Sequence, residues 1–240
     1  MKKQSSAASK PIRVDQISDF SFKEAYKSLR ANLVFSLPGN IACRKLLFTS
    51  STAGDGKTTV SVNTAITLAE ASHKVLLIDG DLRKPTIHRY FGIYAKGRLG
   101  LSNLLSGVNN LDECCYPIES VPNLYVIPAG TLPPNPSELL ASVPMKELLA
   151  QLEKQFEYIL IDTPPIGIVT DAISLVNQVD GVAFVATVGH SNVPEISRSL
   201  SKLKFAGANV LGFVVNKVAK KRDYYNKNAY YHYHSSSSHE

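Results

Sequence analysis

The sequence predicts a doubly wound α/β fold around a mostly parallel sheet, and three observations carry that expectation. Six short, near-continuous apolar runs read as strands: Lys45–Ser50, Val75–Asp79, Leu124–Pro128, Tyr158–Asp162, Val182–Thr187 and Val210–Asn216. Unbroken apolar runs suit strands covered on both faces, as in a parallel sheet with helices on either side. Helical patterns fall between them, at Lys57–Ser72, Met145–Phe156 and Pro194–Phe205. Strand–helix alternation of this kind is the sequence form of such a fold. The third observation is a glycine-containing turn, residues 51–56, joining the first strand directly to the first of these helices.

A chain of 240 residues with 44% hydrophobic residues has ample material for one such core. It contains no run of eighteen apolar residues, so no membrane-crossing helix is expected. The opening MKKQSSAASKP lacks the apolar stretch of a secretory signal, and a cytoplasmic location is the expectation. Cys43 and the adjacent Cys114 and Cys115 form neither a disulfide framework nor a metal-ligand spacing and read as reduced thiols. The net charge of +6 is spread along the chain, with small clusters at Lys2–Lys3 and Lys220–Lys221–Arg222. That distribution reads as a solvated surface rather than a nucleic-acid footprint.

Two appendages flank the predicted sheet. Near residues 21–36, Phe22, Tyr26, Leu29 and Leu33 recur at helical spacing and make one apolar stripe. Glu24 lies opposite the stripe, with Lys27 and Arg30 winding round the flank. From residue 220 to residue 240 the chain is dominated by Tyr, Asn, Lys, His and Ser, without apolar periodicity. It reads as a flexible tail on a single domain spanning residues 1–219. His232, His234 and His239 lie in that tail without a convincing metal spacing.

The turn between the first strand and its helix reads Ser51-Thr52-Ala53-Gly54-Asp55-Gly56-Lys57-Thr58-Thr59. Gly54 and Gly56 allow the backbone to curl so that successive amides face phosphate oxygens. Lys57 is placed to reach the β- and γ-phosphates of a nucleotide, and the Thr58 hydroxyl to ligate Mg²⁺. The helix that follows adds its N-terminal dipole. Ser51 stands where the strict phosphate-loop pattern has glycine. Two further strands end in carboxylates, Asp79 and Asp81 after one and Asp162 after the other. Ligands of open parallel sheets collect at these strand ends, and Asp162 suits a role holding Mg²⁺ through water.

At these residues the chain resembles the bacterial tyrosine kinases of capsular and exopolysaccharide synthesis, phosphate-loop proteins of the deviant-Walker class that includes the MinD and ParA ATPases. Ile78-Asp-Gly-Asp-Leu-Arg83 is similar to their second Walker-type element, A′, and Ile159-Leu-Ile-Asp162-Thr-Pro164 to their Walker B. The segments Arg83–Gly92 and Ile127–Leu139 and the tyrosine-rich tail extend the likeness over nearly the whole chain. The resemblance implies an ATP- and Mg²⁺-dependent kinase, with Lys57 on the phosphates and Thr58, Asp79 and Asp162 around the metal. It implies that Asp79 and Asp81 lie beside the attacking tyrosine hydroxyl, that Arg83 orients the A′ element, and that the acceptors are Tyr224, Tyr225, Tyr230, Tyr231 and Tyr233. Asn216, at the end of the last strand, is the candidate for reading the adenine.

The family assembles into rings through a Glu-x-x-Arg-x-x-Arg helix, which here reads Glu24-Ala-Tyr-Lys27-Ser-Leu-Arg30. Lys27 replaces the first arginine and cannot reproduce a bidentate carboxylate contact. The implied partners are further copies of this chain, other protein substrates, a protein-tyrosine phosphatase, and the cytoplasmic segment of a transmembrane polysaccharide co-polymerase that recruits the kinase to the inner membrane face. Two other readings stay open at this point. One is a partition or division-site ATPase, although such proteins carry a lysine early in the loop where Thr52 stands. The other is a non-catalytic nucleotide-binding regulator whose tail docks a partner.

Overall fold

The structure, a computed structural model, describes residues 11–37, 39, 41–93 and 99–218. The tail tyrosines and tail histidines, together with Lys2 and Lys3, lie outside the described residues. All six predicted strands are present, within one residue of their expected ends: β1 (Arg44–Ser50), β2 (Val75–Asp79), β4 (Leu124–Ile127), β5 (Tyr158–Asp162), β6 (Gly181–Thr187) and β7 (Val210–Asn216). A two-residue strand β3 (Tyr116–Pro117) adds an antiparallel edge on β4. The order is β3-β4-β2-β5-β1-β6-β7, and every pairing except β3·β4 is parallel.

Alternation along the central strands divides the core into two layers. Leu46, Phe48, Leu77 and Leu160 pack with α1 (Phe20–Ser36) and α2 (Lys57–Glu70) on one face of the sheet. Leu47, Leu76, Ile159 and Ile161 pack with α7 (Val143–Leu152) and a 3-10 segment, Asp171–Gln178, on the other. That second layer also receives α4 (Leu101–Leu105), α6 (Pro136–Leu140) and Leu203 of α8 (Val193–Phe205). The remaining short helices among the described residues are α3 (Ile87–Phe91), α5 (Leu111–Cys114) and a 3-10 turn, Val14–Gln16. Among the described residues no helix is long and apolar enough to cross a membrane.

The helices begin and end where local chemistry dictates. The helix α1 starts at Asp19, whose carboxylate accepts the Phe22 amide. Of its stripe, Tyr26 and Leu33 are buried, each worth on the order of 2 kcal/mol, and Phe22 and Leu29 are partly buried against the same layer. The expected helix Lys57–Ser72 stops at Glu70. Ser72 adopts φ +67°, and the amides of Ser72 and His73 return to the carbonyls of Ala69 and Leu68, the hydrogen-bond pattern of a left-handed helix end. Similarly, α7 begins at Val143 behind its Ser142 cap and yields after Leu152 to a tighter turn, with the Gln155 amide on the Leu152 carbonyl.

Candidate active site

The phosphate loop leaves β1 at the centre of the sheet, flanked by β5 and β6. Gly54 and Gly56 adopt φ +92° and +80°, values that side chains resist. A Cβ on Gly56 would also run into the Asn216 amide nitrogen. The loop is braced from outside by its carbonyls. Thr187 Oγ1 donates to Asp55 O at 2.8 Å, Asn216 Nδ2 to the same oxygen at 3.1 Å, and Lys217 Nζ to Gly54 O at 3.2 Å. The Asp55 side chain is buried and accepts from Ser191 Oγ at 2.6 Å and from the Thr52 amide and hydroxyl. His190 Nε2 lies 3.0 Å from Ala53 O. Committing these carbonyls and Asp55 outward leaves the loop's concave side to other groups.

Within that concavity the expected residues converge. Thr58 Oγ1 donates to Asp162 Oδ2 at 2.6 Å, linking the helix start to the end of β5. Lys57 Nζ sits 3.3 Å from Asp81 Oδ2. Burial alone would lower the Lys57 pKa, but Asp162, Asp81 and Asp79 outweigh it and hold the amine above its ordinary value. Asp162 is raised by burial, with Lys57 and Thr58 opposing. Its Oδ1 is buried and, among the described residues, lacks a hydrogen-bond partner. A hydroxyl oxygen beside an unspent buried carboxylate oxygen is the donor chemistry Mg²⁺ prefers. No cluster of three or more acidic, His or Cys side chains among the described residues would hold a metal alone. A cation here would therefore draw on phosphate oxygens and water as well.

Asp79 lies opposite Asp162 in the pairing of β2 with β5. Its Oδ1 accepts the Asp81 amide at 3.2 Å, and its Oδ2 accepts the amides of Thr86 and Ile87, both at 3.1 Å. The carboxylate thus organises the A′ loop. Burial foremost, then the charge of Asp162, pushes its pKa up to about 8. Asp81 Oδ1 accepts the Lys84 amide at 3.0 Å, and its other oxygen faces Lys57.

Arg83 points away from the lysine and clamps Asp171, with Nε 2.8 Å from one carboxylate oxygen and Nη2 3.0 Å from the other. Ser137 Oγ donates to the same carboxylate at 2.5 Å. Asp171, Ser137, Thr187, Ser191 and Tyr90 were not singled out by the sequence. Tyr90 brings its hydroxyl to 2.7 Å from Thr59 Oγ1 and so ties α3 to the loop's helix. On α1, Lys27 pairs with Glu24 at 2.7 Å within the helix, and Arg30 donates to Thr67 O at 2.6 Å.

Removing one partner of a fully buried ion pair costs about 3–5 kcal/mol. The Asp171 side chain is 0% exposed and that of Arg83 41%, so Arg83→Ala should cost about 2 kcal/mol in urea unfolding. Burial would raise the Asp171 pKa, but Arg83 and Ser137 overcome it and hold the carboxyl below its usual range. Its contribution is therefore present above about pH 4 and lost as the pH falls through the lower folded value. The deficit of Arg83→Ala should shrink in acid. An equal deficit at pH 3.5 and pH 7 contradicts this assignment.

Residues 44–185 match the model of a family described as AAA domain. The chain is 38% identical to the tyrosine-protein kinase CpsD of Streptococcus pneumoniae serotype 4, over 82% of this chain and 84% of that one. It is 33% identical to the tyrosine-protein kinase YwqD of Bacillus subtilis, over 84% of each. Among solved structures, the chimerical protein CapA2B2 superposes with a TM-score of 0.80 at 32% identity, covering 86% of this chain and 89% of that one. The kinase domain of the Escherichia coli tyrosine kinase ETK gives 0.75 at 33% identity, covering 84% and 79%. The septum site-determining protein MinD of Pyrococcus horikoshii, solved with Mg-ADP, gives 0.63 at 26% identity, covering 75% and 72%. The division ATPase likeness is thus present in the fold but weaker than the likeness to the kinases. With the phosphate loop, Asp162 and the Asp79–Arg83 segment meeting at one end of the sheet, and with kinase relatives at this identity over most of both chains, the chain belongs to the bacterial tyrosine-protein kinases.

Proposed function

We propose that this chain transfers the γ-phosphoryl group of ATP, in the presence of Mg²⁺, to tyrosines of its own tail in another copy, and so regulates capsular or exopolysaccharide synthesis. The observation that carries this reading is the meeting of Thr58 with Asp162 and of Lys57 with Asp81 at the mouth of one phosphate loop. The loop amides and the start of α2 receive the phosphates, and Lys57 follows the charge that develops between the β- and γ-phosphates. Thr58 and Asp162 are the residues that would hold Mg²⁺, which when bound neutralises phosphate charge as a Lewis acid. Asn216, anchored on Asp55 O, is assigned to the wall of the base site.

In the transfer, the tyrosine oxygen bonds the γ-phosphorus and the bond from that phosphorus to the oxygen bridging to ADP breaks. We assign Asp81 as the acceptor of the phenol proton, because its Oδ2 faces Lys57 at the mouth of the loop, whereas the oxygens of Asp79 are turned to the amides of Asp81, Thr86 and Ile87. Asp79 and Arg83 then act by holding the A′ loop. Residues 1–219 would form the kinase domain and residues 220–240 the acceptor tail, with Tyr224, Tyr225, Tyr230, Tyr231 and Tyr233 as its acceptors. Whether phosphotyrosine forms there when the pure chain receives ATP and Mg²⁺ tests the reading.

The helix α1 is proposed as the ring contact, with Glu24 meeting Arg30 of the next copy. Lys27 and the Thr67 carbonyl would release them on assembly. Glu24→Ala should convert an oligomer to monomers in light scattering at micromolar concentration. Adding Arg30→Ala should not restore assembly, since it also removes a bond within the chain. A wild-type chain that is already monomeric removes the premise. A cytoplasmic segment of a transmembrane polysaccharide co-polymerase, which brings the kinase to the membrane, and a phosphatase that resets the tail complete the proposed cycle.

A further inference from the structure

Beside the transfer site lies a second cleft of about 630 Å³. Ile93, Leu99, Leu132 and Tyr116 wall it, and Lys84 and Arg89 add two exposed cations. Neither cation pairs with a carboxylate among the described residues. The cleft and the transfer site share the segment Lys84–Thr86. Its amides bond the carboxylates of Asp81 and Asp79, while the same residues line the cleft.

An apolar wall with adjoining cations asks for a ring that carries negative charge. A carboxylate side chain offers charge without a ring, and a tyrosine offers a ring without charge. A phosphotyrosine offers both, at about −1.5 to −2 charges. The tail supplies tyrosines in adjacent pairs, Tyr224–Tyr225 and Tyr230–Tyr231, among Lys220, Lys221, Arg222 and Lys227. Unmodified, such a segment is cationic and is repelled by Lys84 and Arg89. Once one tyrosine is modified, Lys84 and Arg89 attract it to the cleft. Neighbouring side chains of an extended segment point to opposite sides, which suits two sites separated by one stretch of backbone.

We propose that this cleft is a phosphotyrosine subsite, holding the first modified tyrosine of a pair while its neighbour enters the transfer site. The proposal rests on the kinase reading above. Each round is the same transfer: a phenol oxygen gains the phosphoryl group, ADP leaves, and the phenol proton passes to a carboxylate. The difference is that the second round begins from a tethered substrate, so the tyrosine cluster is filled by priming rather than at random.

The test uses the full chain with its five tail tyrosines changed to Phe, acting on peptides of residues 220–228. One peptide carries phosphotyrosine at Tyr225, one is unmodified and one carries Tyr225→Phe. The KM for Tyr224 should be about tenfold lower in the phosphorylated peptide, as one charge-assisted contact would give. Lys84→Ala with Arg89→Ala should bring the ratio of phosphorylated to unmodified KM close to one. Both residues are exposed, so folding is expected to survive, and fluorescence anisotropy of the phosphopeptide on wild type and variant gives a second readout. Equal KM values with working transfer, or phosphopeptide binding that ignores the double substitution, overturn the subsite alone. Failure to phosphorylate any peptide sinks the kinase reading and the subsite with it.

Discussion

Lys57→Met should abolish autophosphorylation, lowering its initial rate by at least about 10³-fold, because a preorganised charge is lost where the barrier is crossed. Within the described structure Lys57 is held by three carboxylates and stays protonated, so the group removed is a fixed cation. Among the described residues no other cation is hydrogen-bonded to Asp79 or Asp81: Arg83 is committed to Asp171, and Lys217 reaches the outer carbonyl of Gly54. Methionine fills similar volume, so the fold should persist. Asp162→Ala should give a comparable loss by a separate route, since it strips Thr58 of its partner and removes the buried oxygen suited to a cation's water. The measurement is the initial rate of phosphotyrosine formation on each folded variant. Undiminished phosphotyrosine in folded Lys57→Met rules out the assignment of this loop as the transfer site.

The second large effect concerns the tail. Changing Tyr224, Tyr225, Tyr230, Tyr231 and Tyr233 to Phe should remove nearly all autophosphorylation while nucleotide affinity stays within about twofold, because the phosphate loop is untouched. Mixed with the full-length Lys57→Met chain, the five-Phe chain should then place phosphate on that inactive copy. Each partner lacks what the other supplies, so label on the Lys57→Met chain can arise only by transfer between copies. Positioned acceptors gain by effective concentration, and the rate should rise when the two chains share an oligomer. Label confined to the five-Phe chain would place the acceptors elsewhere. Label on neither chain, with each folded and the wild type active, would mean transfer within one copy.

The sheet was legible because burial on both faces writes an unbroken apolar run. Val75–Asp79 and Tyr158–Asp162 were read to the residue on that basis. Lys57, Thr58, Asp79, Asp81 and Asp162 were legible as a set because the three aspartates sit at or just past strand ends, and the loop after β1 brings Lys57 and Thr58 to the same end of the parallel sheet. Arg83 was marked, but its partner Asp171 was not, since 88 residues separate them and nothing local distinguishes that aspartate. The bracing of the loop by Thr187 and Ser191 was hidden for the same reason. The helices α3, α4, α5 and α6 span four or five residues each, too few to complete an apolar period. The edge strand β3 has only two residues, below what alternation can show. The three backbone amides that occupy the oxygens of Asp79, the residue expected at the metal, were equally hidden, since no motif displays the hydrogen-bond demand of the loop that follows β2.

The most direct measurement is mass-spectrometric mapping of the pure chain after incubation with ATP and Mg²⁺. The account predicts phosphotyrosine within residues 224–233, absent in Lys57→Met and absent when Mg²⁺ is chelated. Hydrolysis of ATP to ADP with every tyrosine unmodified would contradict it and would favour a nucleotide-driven switch built on the same fold.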